Sequence, residues 1–182
     1  MAYKKLYKSM IGDILIVFDE EALLGIYLER QKEFEEKLRD IDIVDVNEEI
    51  LSYSREEDYK ILKTTENWLD KYFSREDSDF IPPVKVNGSE FRKDVWNILL
   101  KIPYGETRTY KEVGESLLAG GKYERVSNQA VGGAVGHNPI SLIIPCHRVI
   151  GSDGSLRGYA GGVDVKRKLL ELEREEKEYF KS

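Results

Sequence analysis

The hydrophobic pattern of the first 73 residues predicts strands followed by a helix. Residues 3–28 contain short apolar runs separated by the acidic break Asp19-Glu20-Glu21, a pattern typical of a hairpin. Residues 31–40 indicate a short exposed helix, and residues 41–46 alternate acidic and apolar side chains, as a strand does. From Ser54 to Phe73, apolar residues return at helical spacing. This half is therefore predicted to be a small sheet-and-helix domain with a supporting role.

A domain boundary is predicted at residues 74–86, where the periodic pattern stops and Pro82-Pro83 interrupts the chain. A chain of 182 residues is long enough for two small domains. We assign residues 1–85 to an N-terminal domain and residues 86–182 to a C-terminal domain. The predicted fold class is α+β (α/β), with a small N-terminal β-sheet-plus-helix domain followed by a mostly helical C-terminal domain.

Helices in the second half are predicted to begin after hydroxyl side chains. Ser89, Thr109 and Ser127 each precede a helical pattern, and such side chains cap the first turn of a helix. The second and third of these helices are short and joined by a glycine-containing turn, so they resemble a helix-turn-helix. Residues 128–136 are almost entirely alanine, glycine and valine, which suits either tight internal packing or close approach to a nucleic-acid groove. A last helix is predicted from Val163.

Composition limits the partners and the compartment. The chain is 41% hydrophobic and 34% charged, as in ordinary globular proteins. It has no apolar run near the about 20 residues that span a bilayer, and no signal-peptide core, so we predict a cytoplasmic protein without membrane contact. The net charge is −6, but residues 86–170 carry 12 basic against 8 acidic side chains. Nucleic acid is therefore not excluded, although its electrostatic attraction is predicted to be modest.

The candidate chemistry centres on Cys146, the only cysteine, which is followed directly by His147 and preceded by Pro145. A single cysteine excludes an internal disulfide and suits a reducing compartment. A neighbouring base makes a thiol nucleophilic, so His147 is a candidate base. Glu173 on the last helix can orient that histidine, or it can be a solvated member of the acidic tail. The spacing leaves both possibilities open.

The hypothesis that His147 activates Cys146 depends on the local geometry, and it has two alternatives: an inert cysteine and a metal site. Adjacent residues of an extended chain point to opposite faces, so His147 would need a turn or a bridging water to reach the thiol. An inert buried cysteine is disfavoured by the adjacent histidine, the prolines and the glycine-rich residues 156–162. A metal site formed by His137, Cys146 and His147 lacks a fourth ligand. We therefore predict neither a metal nor a cofactor.

The residues around the cysteine resemble the active-site signature of the O6-alkylguanine-DNA alkyltransferases, also called methylated-DNA–protein-cysteine methyltransferases. The resemblance covers roughly residues 88–173, and the N-terminal half is consistent with the variable domain of this family. The matching segments occur in family order: Phe91 with Val95-Trp96, Ile102-Pro103-Tyr104-Gly105, Thr107-Arg108-Thr109-Tyr110, Ala130-Val131-Gly132, Asn138-Pro139, Ile144-Pro145-Cys146-His147-Arg148-Val149-Ile150-Gly151 and Gly158-Tyr159-Ala160-Gly161-Gly162.

The resemblance implies DNA repair by a single-turnover transfer that inactivates the protein. Cys146 would take the alkyl group from O6-alkylguanine, and from O4-alkylthymine, after the damaged base has flipped out of the duplex. His147 would act as a water-mediated base oriented by Glu173. Tyr110 would hydrogen-bond guanine N3, and Asn138 would brace the turn before the cysteine. The partner implied is double-stranded DNA, bound by a monomer through the minor groove with a winged-helix-like helix-turn-helix.

The same resemblance implies a set of substrate contacts. The backbone of Cys146 and Val149 would read the exocyclic amine of guanine, the amide of Ala160 would face O6, and Tyr159 would form a wall of the pocket. The full substrate-binding set that it implies is Val149, Tyr159, Ala160, Gly161, Gln129 and Arg148.

Two positions depart from the family pattern. Many members have an arginine where this chain has Gln129, and that arginine fills the gap left by the flipped base. Glutamine adds no charge, so weaker or more salt-tolerant DNA binding is expected; whether nearby Arg125 substitutes stays open. The position of Ala160 often holds a serine, so a hydroxyl contact is lost while the amide remains.

Two other functions remain as alternatives. A non-catalytic sensor of alkylated DNA resembles the same motif but replaces its cysteine, usually with tryptophan, so Cys146 argues against it. An unrelated cysteine hydrolase would require repeated turnover and an oxyanion hole. Transfer of a label from alkylated DNA to the protein distinguishes the three functions.

Overall fold

The structure is a computed structural model whose contacts divide the chain into two compact units. Unit 1 is Met1–Val86 and unit 2 begins at Asn87. The residues that it describes are 1–53, 57, 59–76, 78 and 80–179.

Unit 1 is a four-stranded mixed sheet with helices. Strand β2 pairs antiparallel with both β1 and β3, and β4 lies parallel to β1, which gives the order β3-β2-β1-β4. The predicted strands and the helix at residues 31–40 are present, but the helix expected from Ser54 begins only at Lys60, and the described residues 57 and 59 lie in turns. Residue 54 itself lies outside the described residues, and helix α2 was not predicted. The elements are β1 (Ala2–Ser9), β2 (Gly12–Phe18), β3 (Leu23–Leu28), α1 (Lys32–Arg39), β4 (Ile43–Asp45), α2 (Glu48–Tyr53) and α3 (Lys60–Phe73).

The core of unit 1 forms on the sheet and under α1. Five consecutive residues of β2, from Ile14 to Phe18, are buried, so this central strand is covered on both faces. Leu15, Val17 and Tyr27 form one apolar cluster with Phe34 of α1. The period-2 pattern expected of a one-sided sheet is therefore replaced by a continuous apolar run.

The segment predicted as a linker is partly integrated into unit 1. The amide of Leu23 donates to the carbonyl of Pro83 at 2.8 Å, and the amide of Lys85 donates to the carbonyl of Leu23 at 2.9 Å. Val84 thereby forms a parallel bridge with Leu23 at the edge of β3. An edge strand needs partners for its outward-facing backbone groups, and this segment supplies them.

Unit 2 is mostly helical, and two very short strands form its only sheet within the described residues. Strand β5 pairs parallel with β6 and so joins the start of α5 to the segment that follows the cysteine. Neither strand was predicted, because two-residue strands leave no periodic pattern. The elements are α4 (Glu90–Leu99), β5 (Arg108–Thr109), α5 (Tyr110–Ala119), α6 (Asn128–Gly136), a 3₁₀ turn (Cys146–Arg148), β6 (Val149–Ile150) and α7 (Val163–Tyr179).

The three predicted N-caps are confirmed by hydrogen bonds. Ser89 accepts from the amide of Arg92, and Ser127 accepts from the amide of Ala130. Thr109 forms a capping box with Glu112, in which each side chain accepts from the backbone amide of the other residue. This box fixes the start of α5, where Tyr110 is the first helical residue.

Helices α4, α5 and α6 pack together around a buried tryptophan. The indole Nε1 of Trp96 in α4 donates to the carbonyl of Ala134 in α6 at 2.9 Å, and Trp96 is only 2% exposed. Val113 of α5 and Val131 of α6 are fully buried. The helix-turn-helix pair α5–α6 is thus held against α4. In the part of the chain that the structure describes, every helix is too short or too polar to span a bilayer.

Substituting Thr109→Ala should destabilise unit 2 by about 1 kcal/mol, the usual effect of losing an N-cap side chain. The capping box would lose the hydroxyl that accepts from the Glu112 amide. Urea unfolding should show this loss, whereas Thr107→Ala, outside the box, should change stability by less than about 0.5 kcal/mol. Equal effects of the two substitutions would contradict the assigned role of the cap.

Candidate active site

The turn that delivers the cysteine is braced by Asn138. Its side-chain Nδ2 donates to the carbonyl of Ile144 at 2.7 Å, and its Oδ1 accepts from the amide of Ile140 at 3.0 Å. Between them, Leu142 adopts a left-handed backbone with φ of 71° although it has a branched side chain. Such a conformation persists only where the surroundings enforce it, and here Leu142 is 1% exposed. The chain that leads from α6 to Cys146 is therefore tightly constrained.

His147 and Glu173 form a buried pair. Cys146 begins the 3₁₀ turn, and His147 within the turn brings its Nε2 to 2.6 Å from Oε1 of Glu173 in α7. Both side chains are 0% exposed. Glu173 is thus not part of a solvated acidic surface, the second possibility that the spacing had left open. The turn, rather than an extended strand, sets the relative directions of Cys146 and His147.

Arg148 belongs to the same buried cluster. Its Nε donates to Oε2 of Glu173 at 2.9 Å, and its Nη2 donates to Oε1 at 3.1 Å. Its Nη1 donates to the carbonyl of Ile102 at 2.7 Å, and the guanidinium lies 5.5 Å from the ring centroid of Tyr104. The backbone amide of Gly105 also donates to Oε2 of Glu173, at 2.9 Å. Arg148, which the resemblance implied as a substrate contact, is therefore engaged with protein groups.

The charges of this cluster follow from its contacts. Burial by itself would raise the pKa of Glu173, but the hydrogen bonds and positive charges of His147 and Arg148 outweigh it and hold that pKa far below its ordinary value. Burial lowers the pKa of His147. The carboxylate is consequently ionised and the imidazole neutral near pH 7. A neutral imidazole that donates from Nε2 to the carboxylate has Nδ1 as its basic nitrogen.

The Cys146 thiol is buried and 5% exposed. Burial raises its pKa, whereas a hydrogen bond from Asn138, the charge of Lys166 and the backbone amides of Cys146 and His147 act in the opposite direction. Burial dominates, so the resting sulfur is mainly a thiol near pH 7. Its conversion to a thiolate requires a base, and the neutral imidazole is the adjacent one.

Lys166 is the main residue that sequence reasoning missed. It is fully buried on α7, and its ammonium group donates to the carbonyl of Val149. Its Nζ lies 6.0 Å from the ring centroid of Tyr110 and 5.7 Å from that of Tyr159. Burial lowers the pKa of Lys166 to about 8, against the opposing effect of Cys146. A signal did exist, since Lys166 is seven residues before Glu173 and hence on the same helical face.

Two tyrosines flank this lysine. The hydroxyl of Tyr110 donates to the carbonyl of Arg157 at 3.4 Å, and burial raises the pKa of Tyr110. The hydroxyl of Tyr159 is buried and has no hydrogen-bond partner among the described residues, and burial raises its pKa strongly. Both phenols are therefore protonated near pH 7 and can donate hydrogen bonds.

The other residues that the sequence analysis assigned to the site differ in burial. Val149 is fully buried beside the 3₁₀ turn, Gly161 is buried, and Ala160 is exposed in the loop before α7. Gln129 is exposed on α6, and no described contact joins it to Cys146. Among the described side chains, no three histidine, cysteine, aspartate or glutamate groups are placed to bind one metal ion.

A helix-turn-helix pair preceding a buried thiol with a neutral imidazole and an ionised carboxylate defines a class: DNA-binding proteins that use a cysteine as nucleophile. The profile of the "6-O-methylguanine DNA methyltransferase, DNA binding domain" matches residues 90–175. That of the "6-O-methylguanine DNA methyltransferase, ribonuclease-like domain" matches residues 2–86. The chain belongs to the methylated-DNA–protein-cysteine methyltransferase family, as the resemblance predicted, and is an enzyme of DNA repair that transfers a methyl group to cysteine.

Individual relatives agree with this assignment. A methylated-DNA–protein-cysteine methyltransferase of Methanosarcina acetivorans is 39% identical over 94% of this chain and 97% of its own. A Mycobacterium tuberculosis enzyme of that name is 49% identical over 58% of this chain and 61% of its own. The crystal structure of Mycobacterium tuberculosis OGT in complex with DNA matches with a TM-score of 0.76 and 32% identity, over 95% of this chain and 93% of that one. The predicted fold class is confirmed, and DNA is the partner.

Substituting Lys166→Met should shift the pH dependence of Cys146 alkylation by iodoacetamide to higher pH. The ammonium charge of Lys166 lowers the pKa of the thiol, so its removal raises that pKa. Lys168→Met, on the exposed side of the same helix, serves as the control and should leave the midpoint unchanged. A midpoint that is the same in all three proteins would exclude an effect of Lys166 on the thiol.

Proposed function

We propose that Cys146 is the acceptor in a single, irreversible transfer from O6-alkylguanine in double-stranded DNA, with His147 as base and Glu173 as its orienting partner. The observation that carries this proposal is the buried contact between His147 and the ionised Glu173. His147 directly follows the only cysteine. This arrangement gives the residue after Cys146 a basic imidazole nitrogen, and the thiol needs a base because burial raises its pKa. It meets the nucleophile–base–orienter logic of covalent catalysis.

The proposed reaction is an in-line displacement. The imidazole Nδ1 accepts the thiol proton through a water molecule, and the thiolate sulfur then bonds to the alkyl carbon. The bond from that carbon to O6 breaks, and its electron pair remains on the guanine. Tyr110 donates a hydrogen bond to N3 of the leaving base, a role for which its raised pKa keeps it protonated. The thioether is stable, so the protein reacts once.

Base flipping is part of the proposal because the thiol is enclosed. Cys146 is 5% exposed, and Lys166 with its two flanking tyrosines lies beside the same site. O6 of a stacked guanine cannot reach an enclosed sulfur, so the base has to leave the duplex, at a cost of a few kcal/mol. We propose that Tyr159 walls the pocket, that the backbone at Cys146, Val149 and the Ala160–Gly161 loop reads the base, and that O4-alkylthymine enters the same pocket.

Helix α6 is proposed to enter the minor groove. Gln129, Gly133 and Gly136 lie on one exposed helical face, at i, i+4 and i+7. A methyl group added at Gly133 or Gly136 would have no neighbour within 4 Å, so the fold itself does not require glycine there. Glycine lowers helix stability by roughly 0.5–1 kcal/mol relative to alanine. Close approach of a DNA backbone would account for glycine at these two exposed positions, which the fold itself does not require.

Incubation with duplex DNA that carries a labelled methyl group on O6 of guanine tests the function directly. We expect label on the protein to reach one methyl per chain and then stop. Cys146→Ala should abolish this transfer while it retains DNA binding. Repeated release of product would indicate a hydrolase, and binding without transfer by the unmodified chain would indicate a sensor. Either result would overturn the proposal.

Gly133→Ala should increase stability but weaken DNA binding. The substitution should stabilise α6 by roughly 0.5–1 kcal/mol. The new methyl group should cost binding about 1–3 kcal/mol, as overpacking of a close contact does. Gly114→Ala in α5 is a matched control, since its methyl group would make ordinary contacts with Val126 and Val131 inside the protein. Unchanged DNA affinity in Gly133→Ala would exclude the minor-groove docking of this face.

Gln129→Arg should tighten DNA binding and steepen its salt dependence by about one unit of the log–log slope, as one added phosphate contact does. Arg125→Gln in the loop before α6 addresses the open alternative, because it should reduce the slope if Arg125 already supplies that charge. Fluorescence anisotropy at several salt concentrations measures both variants. A slope that neither substitution changes would mean that this end of α6 does not face DNA.

A further inference from the structure

Arg148 is a charged group of unit 2 that the proposed chemistry does not use, although several hydrogen bonds hold it. Its guanidinium spans both oxygens of Glu173 through Nε and Nη2, and its third nitrogen holds the carbonyl of Ile102. The arginine is 9% exposed and the carboxylate is fully buried. A two-point guanidinium–carboxylate contact fixes the plane of the carboxylate as well as its position.

The same contacts attach Glu173 to the turn that precedes the helix-turn-helix. Oε2 accepts from the amide of Gly105, whose φ of 70° is a backbone conformation that favours glycine. Arg148 bonds Ile102 three residues earlier in the same turn. Glu173 is thereby held by Arg148, Gly105 and His147 together. Rotation of the carboxylate away from the imidazole would break several of these bonds at once.

We infer that Arg148 is a positioning residue, which keeps Glu173 ionised and oriented so that His147 presents its basic nitrogen toward the thiol. This inference rests on the proposed role of His147 as base. It replaces the substrate contact that the resemblance implied for Arg148. The guanidinium is directed at protein oxygens with three of its nitrogens, and a group held in this way is poorly placed to read a base in the pocket.

The charge of Arg148 also acts on the imidazole. Arg148 contributes to lowering the pKa of His147, and Glu173 opposes that effect. Loss of the guanidinium therefore raises the pKa of His147, so that the imidazole becomes protonated, and unable to act as a base, at a higher pH than before. The other titratable and charged groups around the pair are Cys146, Lys166, Tyr104 and Tyr159, and all of them are retained in the variants below.

The test compares Arg148→Lys with Arg148→Gln in the full chain. Single-turnover transfer from labelled O6-methylguanine duplex is measured at saturating DNA from pH 5 to 9. Both variants should lower the plateau rate by about 10-fold or more, because a misplaced reacting group costs a large part of the rate. The midpoint of the acid limb should stay in place for lysine, which keeps the charge, and move to higher pH for glutamine.

DNA affinity separates positioning from substrate contact. Each variant is combined with Cys146→Ala and its dissociation constant for the same duplex is measured, and this constant should equal that of Cys146→Ala alone. Arg39→Gln, which removes an exposed arginine–glutamate pair of unit 1, is the control and should leave rate and midpoint unchanged. Arg148→Lys keeps a buried cation, so it provides the rate and affinity results even if Arg148→Gln does not fold.

Three results would each overturn the inference. The first is a weaker affinity with an unchanged saturating rate in Arg148→Lys, which would make Arg148 a substrate contact. The second is a plateau rate in Arg148→Lys that equals that of the wild-type protein. The third is an acid limb that does not move in a folded Arg148→Gln. A separate variant tests the proposed role of His147 as base. If that role is wrong, His147→Asn should keep the wild-type transfer rate and acid limb, independent of the results for Arg148.

Discussion

The buried carboxylate of Glu173 is the group on which the geometry of the proposed active site depends. An ionised carboxylate is costly to bury unless positive charges and hydrogen-bond donors surround it. Here one carboxylate accepts from His147, from two nitrogens of Arg148 and from the Gly105 amide. These donors come from the 3₁₀ turn and from the turn after α4, whereas the acceptor lies on α7. One ionic group thus joins three separate segments of unit 2 at the thiol.

Hydrogen bonds also constrain the backbone before and after Cys146. Upstream, Asn138 hydrogen-bonds the two ends of the turn that contains the left-handed Leu142. Downstream, β6 pairs with β5, and Lys166 donates to the Val149 carbonyl. The sulfur is therefore presented by a rigid frame. A rigid frame suits the nucleophilic role that we propose for Cys146, because it holds the reacting atom in one geometry.

Helices α5 and α6 are both positioned by contacts within unit 2. Tyr110 is placed by the Thr109 cap at the start of α5, with its hydroxyl at the loop before α7. Helix α6 buries Val131, Ala134 and Val135 and leaves glycine on its outer face. The buried face is held through Trp96, so the position of α6 is determined by contacts on its inner face.

Much of the architecture was predictable because it depends on local patterns. Apolar spacing predicted the strands of unit 1, and the capping hydroxyls of Ser89, Thr109 and Ser127 predicted the starts of three helices in unit 2. The short helix α2 was not predicted. The motif around Cys146 identified the family. Strands β5 and β6 and the pairing of Val84 with β3 escaped prediction, because they depend on hydrogen bonds between distant residues rather than on periodicity.

For the site, the sequence by itself determined that the only cysteine is followed directly by a histidine, and this pair made Cys146 the candidate nucleophile. Only the tertiary structure decided between a solvated and a buried Glu173. It also buried Lys166, whose charge acts on the thiol, and directed the guanidinium of Arg148 at the Glu173 carboxylate. The physical reason is the same in each case. A charged residue is stable in the interior only where partners from other segments meet it, and those partners are set by the fold.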